Sequence, residues 1–146
     1  MFKKQKKLLT IFALLALVLS SGISVSAAAI GQNNTNPISV QSVNTSVATA
    51  GINISASGTA SISASVVGKI GTSKIQITVK LQKYNSTSKS WKKVKSWDKS
   101  SNSTNVLFST SYKLDSKGTY RTKLTASVWK NGTEEVVNLT SGSQTY

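Results

Sequence analysis

INISASGTASISASV, residues 52–66, places an apolar or small residue at every even position and Asn, Ser or Thr at every odd one. Successive side chains of a β-strand point to opposite faces, so this pattern specifies a ribbon with one apolar and one polar face. Two kinds of protein use such a ribbon. In a soluble sandwich the even row faces a second sheet and the odd row faces water. In a membrane-inserting hairpin the even row (Ile52, Ile54, Ala56, Ala60, Ile62, Ala64 and Val66) faces lipid, and the hydroxyl row lines a lumen. The even row contains three alanines and no Leu or Phe, which suits the close approach of a second sheet better than a bilayer. Gly58 interrupts the row and marks a bend or bulge that carries the chain into a further strand.

The same rule recurs downstream. In KIQITVKLQKY (74–84), Ile75, Ile77, Val79 and Leu81 oppose Gln76, Thr78, Lys80 and Gln82. NVLFSTSYKL (105–114) groups Val106, Phe108, Thr110, Tyr112 and Leu114. TYRTKLTASVW (119–129) sets Tyr120, Leu124, Ala126 and Val128 against Arg121, Lys123, Thr125 and Ser127, with Trp129 on the polar side. Between them lie loops rich in Asn, Ser, Thr and Lys. Asn131-Gly132 predicts a type I′ hairpin turn, which needs positive φ at both central residues, and EEVVNLTSGSQTY (134–146) is expected to pair back as the last strand. WKKVKSW (91–97) obeys alternation badly: Trp91, Lys93, Lys95 and Trp97 share one face and Val94 the other, the mark of a bulge or an edge position. On that pattern at least one of Trp91 and Trp97 is exposed or half covered, as is Trp129.

No stretch after residue 30 shows a 3.6-residue apolar period, so an all-β fold is expected: an antiparallel immunoglobulin-like β-sandwich of about seven strands spanning residues 51–146. The immunoglobulin-like choice rests on Tyr120, which follows Gly118 by two residues at the start of the penultimate strand, the place of a tyrosine corner. Asp115 stands one residue further upstream than the usual Asp-x-Gly-x-Tyr spacing, and no cysteine follows. The segments Leu81 to Lys83, Trp91 to Trp97 and Gly118 to Arg121 resemble the Leu-Gln-Lys, Trp-x-x-Val-x-x-Trp and Gly-x-Tyr-Arg strands of a group of small, secreted, uncharacterised proteins of Gram-positive bacteria with an immunoglobulin-like sandwich. The resemblance covers about residues 52–146. It implies the fold and secretion, and no activity.

The chain opens with Lys3, Lys4, Lys6 and Lys7, an apolar run of 12 residues from Leu8 to Leu19, and small residues ending in Val25-Ser26-Ala27. This is the order of a secretory signal peptide (1–27), expected to be removed after Ala27 or Ala29. The apolar run is shorter than the roughly 20 residues of a spanning helix, so no membrane span is expected after processing. Residues 28–50, with the only proline (Pro37), read as a flexible leader. A Ser/Val alternation near residues 39–47 leaves room there for an edge strand. The expected location is secreted or extracellular, with cell-wall association possible in principle through charge. Processing removes four of the chain's fourteen net positive charges and leaves ten, enough to attract polyanions at long range.

There is no histidine and no cysteine, so the Ser-His-Asp and Cys-His nucleophiles and the usual zinc-ligand sets are excluded. Only Asp98, Asp115, Glu134 and Glu135 carry carboxylates, and nothing pairs them across a cleft. No catalytic residue, metal site or cofactor is expected. The informative constellation is Lys80, Lys83, Lys89, Lys92, Lys93, Lys95 and Lys99, seven lysines in twenty residues, interleaved with Tyr84, Trp91 and Trp97. Ammonium groups neutralise phosphate and exposed aromatics stack on flat ligands, so the expected partner is an anionic cell-wall polymer or another polyanion. Two alternatives stay open: the β-hairpin pore former of residues 52–66, and a self-associating surface or biofilm component whose lysines only protect strand edges.

Overall fold

The computed structural model describes residues 36–38 and 42–146. The expected signal peptide and residues 28–35 and 39–41 of the expected leader fall outside the described residues. Nine strands follow in order: β1 (Asn36–Ile38), β2 (Thr45–Ile54), β3 (Thr59–Gly68), β4 (Thr72–Asn85), β5 (Ser90–Ser101), β6 (Asn105–Lys113), β7 (Thr119–Lys130), β8 (Thr133–Thr140) and β9 (Gln144–Thr145). There is no helix among the described residues. One antiparallel sheet has the order β1-β2-β3-β6. The other runs β5-β4-β7-β8, and the short β9 continues beside the start of β7.

The opening stretch is a hairpin, with Ile52 opposite Ile62 and Ala50 opposite Ala64. Its even row faces inward: Ile52, Ala60, Ile62, Ala64 and Val66 are all buried. Ala56 is the exception, because it sits exposed in the turn between the two strands. Gly58 closes that turn at φ +78°, with its N–H donating to the Ser55 carbonyl over 2.9 Å. A Cβ there would also collide with the Tyr146 ring. From the facing sheet, Ile75, Ile77, Val79 and Leu81 of β4 and Leu124, Ala126 and Val128 of β7 complete a core whose inward residues on these strands are at most 4 % exposed. The alternation read in β4, β6 and β7 holds, and Asn131 and Gly132 turn the chain at φ +50° and +76°.

Four features depart from expectation or extend it. The sandwich begins before residue 51: β2 starts at Thr45, and Ala48 and Ala50 are fully buried. An edge strand, β1, places Pro37 opposite Thr49, and an edge is where a residue without a backbone N–H is tolerated in a sheet. The stretch after Trp97, taken as a loop, continues β5 to Ser101 against β4. The Tyr120 hydroxyl donates to the Ser116 carbonyl over 2.6 Å and closes the loop before β7 onto itself.

One carboxylate fastens the first sheet to the second. Glu135 of β8 accepts from the backbone N–H of Val43 (2.6 Å), Asn44 (2.9 Å) and Thr45 (2.9 Å), and from the Thr45 hydroxyl (3.0 Å). In return the Asn44 amide donates to the carbonyls of Val128 and Thr133. Partial burial pushes the Glu135 carboxyl up, but the hydrogen bonds from Ser42, Asn44, Val43 and Thr45 together outweigh it and hold the group at about 2. A carboxyl held below its unfolded value stabilises the fold above that value, and the contribution fades as pH falls toward 2. Glu135→Gln replaces an acceptor with an NH2 group facing these donors. It is expected to cost about 1–2 kcal/mol at neutral pH and to flatten the loss of stability between pH 4.5 and 2, as measured by urea denaturation followed by circular dichroism.

Candidate binding face

The site begins with an irregularity in β5. Leu81 of β4 pairs with Lys95, but the next residue, Gln82, pairs with Lys93, so Val94 is an extra residue. β5 is also the edge strand of its sheet. Val94 leans on the core while Lys95 is exposed. The extra residue inverts the alternation beyond it. Trp97, opposite Val79, faces inward and packs on Phe108 (ring centroids 5.9 Å apart) and edge-on to Tyr112 (6.2 Å), both from β6 of the other sheet. Trp91, opposite Tyr84, faces outward. Two tryptophans that strict alternation puts on one face are thereby turned to opposite faces of the sheet, both half-buried.

On the outward face of β5, β4 and β7 the registers stack a basic and aromatic group. Tyr84 lies beside Trp91, with ring centroids 5.3 Å apart. Gln82 lies between Lys93 and Arg121, and Lys80 between Ser96 and Lys123. The Arg121 guanidinium sits 4.1 Å from the centroid of the Trp91 ring, and its Nε donates to the Gln82 side-chain oxygen over 2.9 Å. Burial lowers the Arg121 pKa from its usual value, and an arginine so placed stays charged. Stacked and hydrogen-bonded, Arg121 and Trp91 give the face a fixed centre, since little rotamer freedom is left to lose when a ligand arrives. The acidic residues of this face lie further along. Asp98 accepts from the Thr78 hydroxyl over 2.5 Å, and Glu134 stands opposite Trp129, whose ring is covered by the Lys74 ammonium at 4.8 Å.

Of the residues singled out in the sequence, Lys80, Tyr84, Trp91 and Lys93 come together on this face. Lys83 and Lys92 pair with each other at its rim, on the opposite register. Lys89 sits in the β4–β5 turn at φ +48°, and Lys95 projects from the bulge at the strand edge. Lys99 is tied down elsewhere, donating to the Leu107 carbonyl of β6 over 2.7 Å. Trp97 leaves the set: the bulge turns it inward, where packing occupies its ring. Arg121 and Lys123 join it. Alternation placed both on a polar row, but their relevance depends on β7 lying next to β4, which no local pattern states.

No family model matches the chain, and no curated protein or solved structure matches it significantly. The two indoles make their separate roles measurable. Trp97→Ala empties a place against the core and is expected to cost about 3 kcal/mol. Trp91→Ala removes a surface stack and is expected to cost about 1 kcal/mol or less. Urea denaturation of the two variants checks the difference, and equal costs would contradict the assigned positions.

Proposed function

We propose that this protein is a secreted, non-enzymatic domain with an immunoglobulin-like sandwich that binds anionic polymers of the cell envelope or matrix. The observation that carries the reading is the grouping of Lys80, Lys93, Arg121 and Lys123 around Tyr84 and Trp91 on one side of one sheet. Cations spaced along adjacent strands suit a ligand with repeated negative charge, and the fixed aromatic pair supplies a surface for its sugar or base faces.

The immunoglobulin-like assignment is supported by strand order and by Tyr120. The chain passes between sheets from β3 to β4, from β5 to β6 and from β6 to β7. The Tyr120 hydroxyl bonds back to the backbone four residues upstream, as a tyrosine corner does. Secretion is supported by the basic, then apolar, then small-residue order of residues 1–27. A non-enzymatic role is supported by the lack of histidine and cysteine and by the engagement of Glu135 and Asp98 in the fold. Against the pore-forming alternative, most of the row that would face lipid packs into the core.

Cosedimentation of the purified protein with Gram-positive cell walls tests the reading, before and after removal of teichoic acid and at low and high salt. Binding is expected to need the anionic polymer and to fall linearly with salt on a log–log plot. Lys93→Gln with Lys123→Gln should weaken it and lower the salt slope by about one for each cation removed. Retention indifferent to salt, polymer and both substitutions would reject the proposal.

A further inference from the structure

At the rim of the face an open cavity of about 470 Å³ lies between the β4–β5 turn and the loop that precedes β7. Three lysines from three separate segments line it: Lys83 at the end of β4, Lys92 at the start of β5, and Lys117 in the β6–β7 loop. No carboxylate lines it. Lys83 and Lys92 are direct cross-strand partners, an arrangement of like charges that weakens a ladder. The Lys83 ammonium is held in place by a 2.7 Å hydrogen bond to the Ser116 hydroxyl and lies 5.6 Å from the centre of the Tyr120 ring, which leaves it further protons to give. Gly118 is needed at the same point. Its φ is +149°, and a Cβ there would approach Cε of the Lys83 side chain to 2.5 Å. The fold therefore lines one cavity with three lysines and no carboxylate, and a bound anion would offset their mutual repulsion.

Resting on the polyanion reading, we infer that this cavity seats one sugar unit carrying a phosphate or sulfate ester, with the rest of the polymer running on across the basic face. A bare tetrahedral anion is too small an occupant. A water's share of liquid volume is about 30 Å³, and an anion a few times that size leaves most of the cavity empty. The volume falls instead in the range of small-molecule sites, about 300–1,000 Å³. The remaining lining matches a sugar: Asn85 and Thr87 offer hydrogen-bonding side chains, and the Tyr84 ring, 39 % exposed, offers an apolar face. Tyr84 also packs beside Trp91, so its ring is shared by the cavity lining and the basic face.

The test is a nuclear magnetic resonance titration of the purified protein with glucose 6-phosphate, glucose 6-sulfate, glucose and inorganic phosphate. The esters are expected to shift the amides of residues 83–87, 92, 117 and 118 saturably, and glucose and phosphate to do so at least fivefold more weakly. Lys117→Gln, off the basic face and in an exposed loop, is expected to weaken ester binding about three- to fivefold. The tighter of the two esters identifies the polymer's chemistry. Shifts equal for phosphate and ester, or spread away from the cavity, would overturn the sugar-ester site. If that happens while cell-wall binding still responds to Lys93→Gln and Lys123→Gln, this inference falls and the polyanion reading stands. If neither responds, both fall.

Discussion

The two sheets hold together through the meeting of their inward rows, with no disulfide and no helix among the described residues to reinforce them. Those rows are built from small and branched residues: Ala48, Ala50, Ala60, Ala64 and Ala126 beside Ile52, Ile62, Ile75, Ile77 and Val79. Alanines let the sheets come close, and β-branched side chains fill the pleats between them with little rotamer freedom to lose. Tyr120 and the inward Trp97 are the large pieces, and each sits at a margin of the core, one hydrogen-bonded to Ser116 and the other between Phe108 and Tyr112. Thr122, fully buried among them, donates its hydroxyl to the Gly51 carbonyl of the opposite sheet and its backbone N–H to the Ser141 hydroxyl oxygen. Every outward residue, including those of the candidate face, depends on this inner contact for its place.

Much of that interior is legible in the sequence, because a period of two is a local property. Ile75 to Leu81, Val106 to Leu114 and Tyr120 to Val128 declare their faces without reference to any other strand, and Asn131-Gly132 declares its turn. The broken alternation of WKKVKSW announces an irregular or edge strand, and β5 is both. Lateral neighbours are a different matter. Arg121 stacks on Trp91 across thirty positions of sequence through β4, and Lys117 reaches Lys83 and Lys92 only after the chain has crossed to the other sheet and started back. Glu135 is illegible for the same reason: its partners lie about ninety residues away, in a stretch that reads as leader. The inward turn of Trp97 comes from a single inserted residue, since a one-residue slip exchanges every face beyond it.

The two outer faces of the sandwich differ in kind. On the β2-β3-β6 side the outward rows carry Thr49, Asn53, Ser61, Ser63, Ser109 and Ser111 together with exposed Val47, Val67 and Leu107, with almost no charge. On the other side stand the cations grouped around Trp91. A polyanion meeting this domain therefore has one preferred side to approach, and a domain so held would turn its hydroxyl-rich side to the medium. The charged edge has a second effect. Lys93, Lys95 and Lys99, together with the bulge at Val94, make β5 a poor template for another strand, which keeps dense arrays of the domain from fusing edge to edge.

The bulge that separates the indoles also gives the domain internal reporters. All three indoles are half-buried, but Trp97 packs inward against Phe108 and Tyr112, whereas Trp91 and Trp129 lie on the outer face with a guanidinium and an ammonium over their rings. A ligand on the face changes the solvent and charge around the second pair and leaves the first alone; opening of the sandwich changes all three. Emission wavelength and quencher accessibility thus separate occupancy from unfolding in a single unlabelled sample, a property that comes from one extra residue in one edge strand.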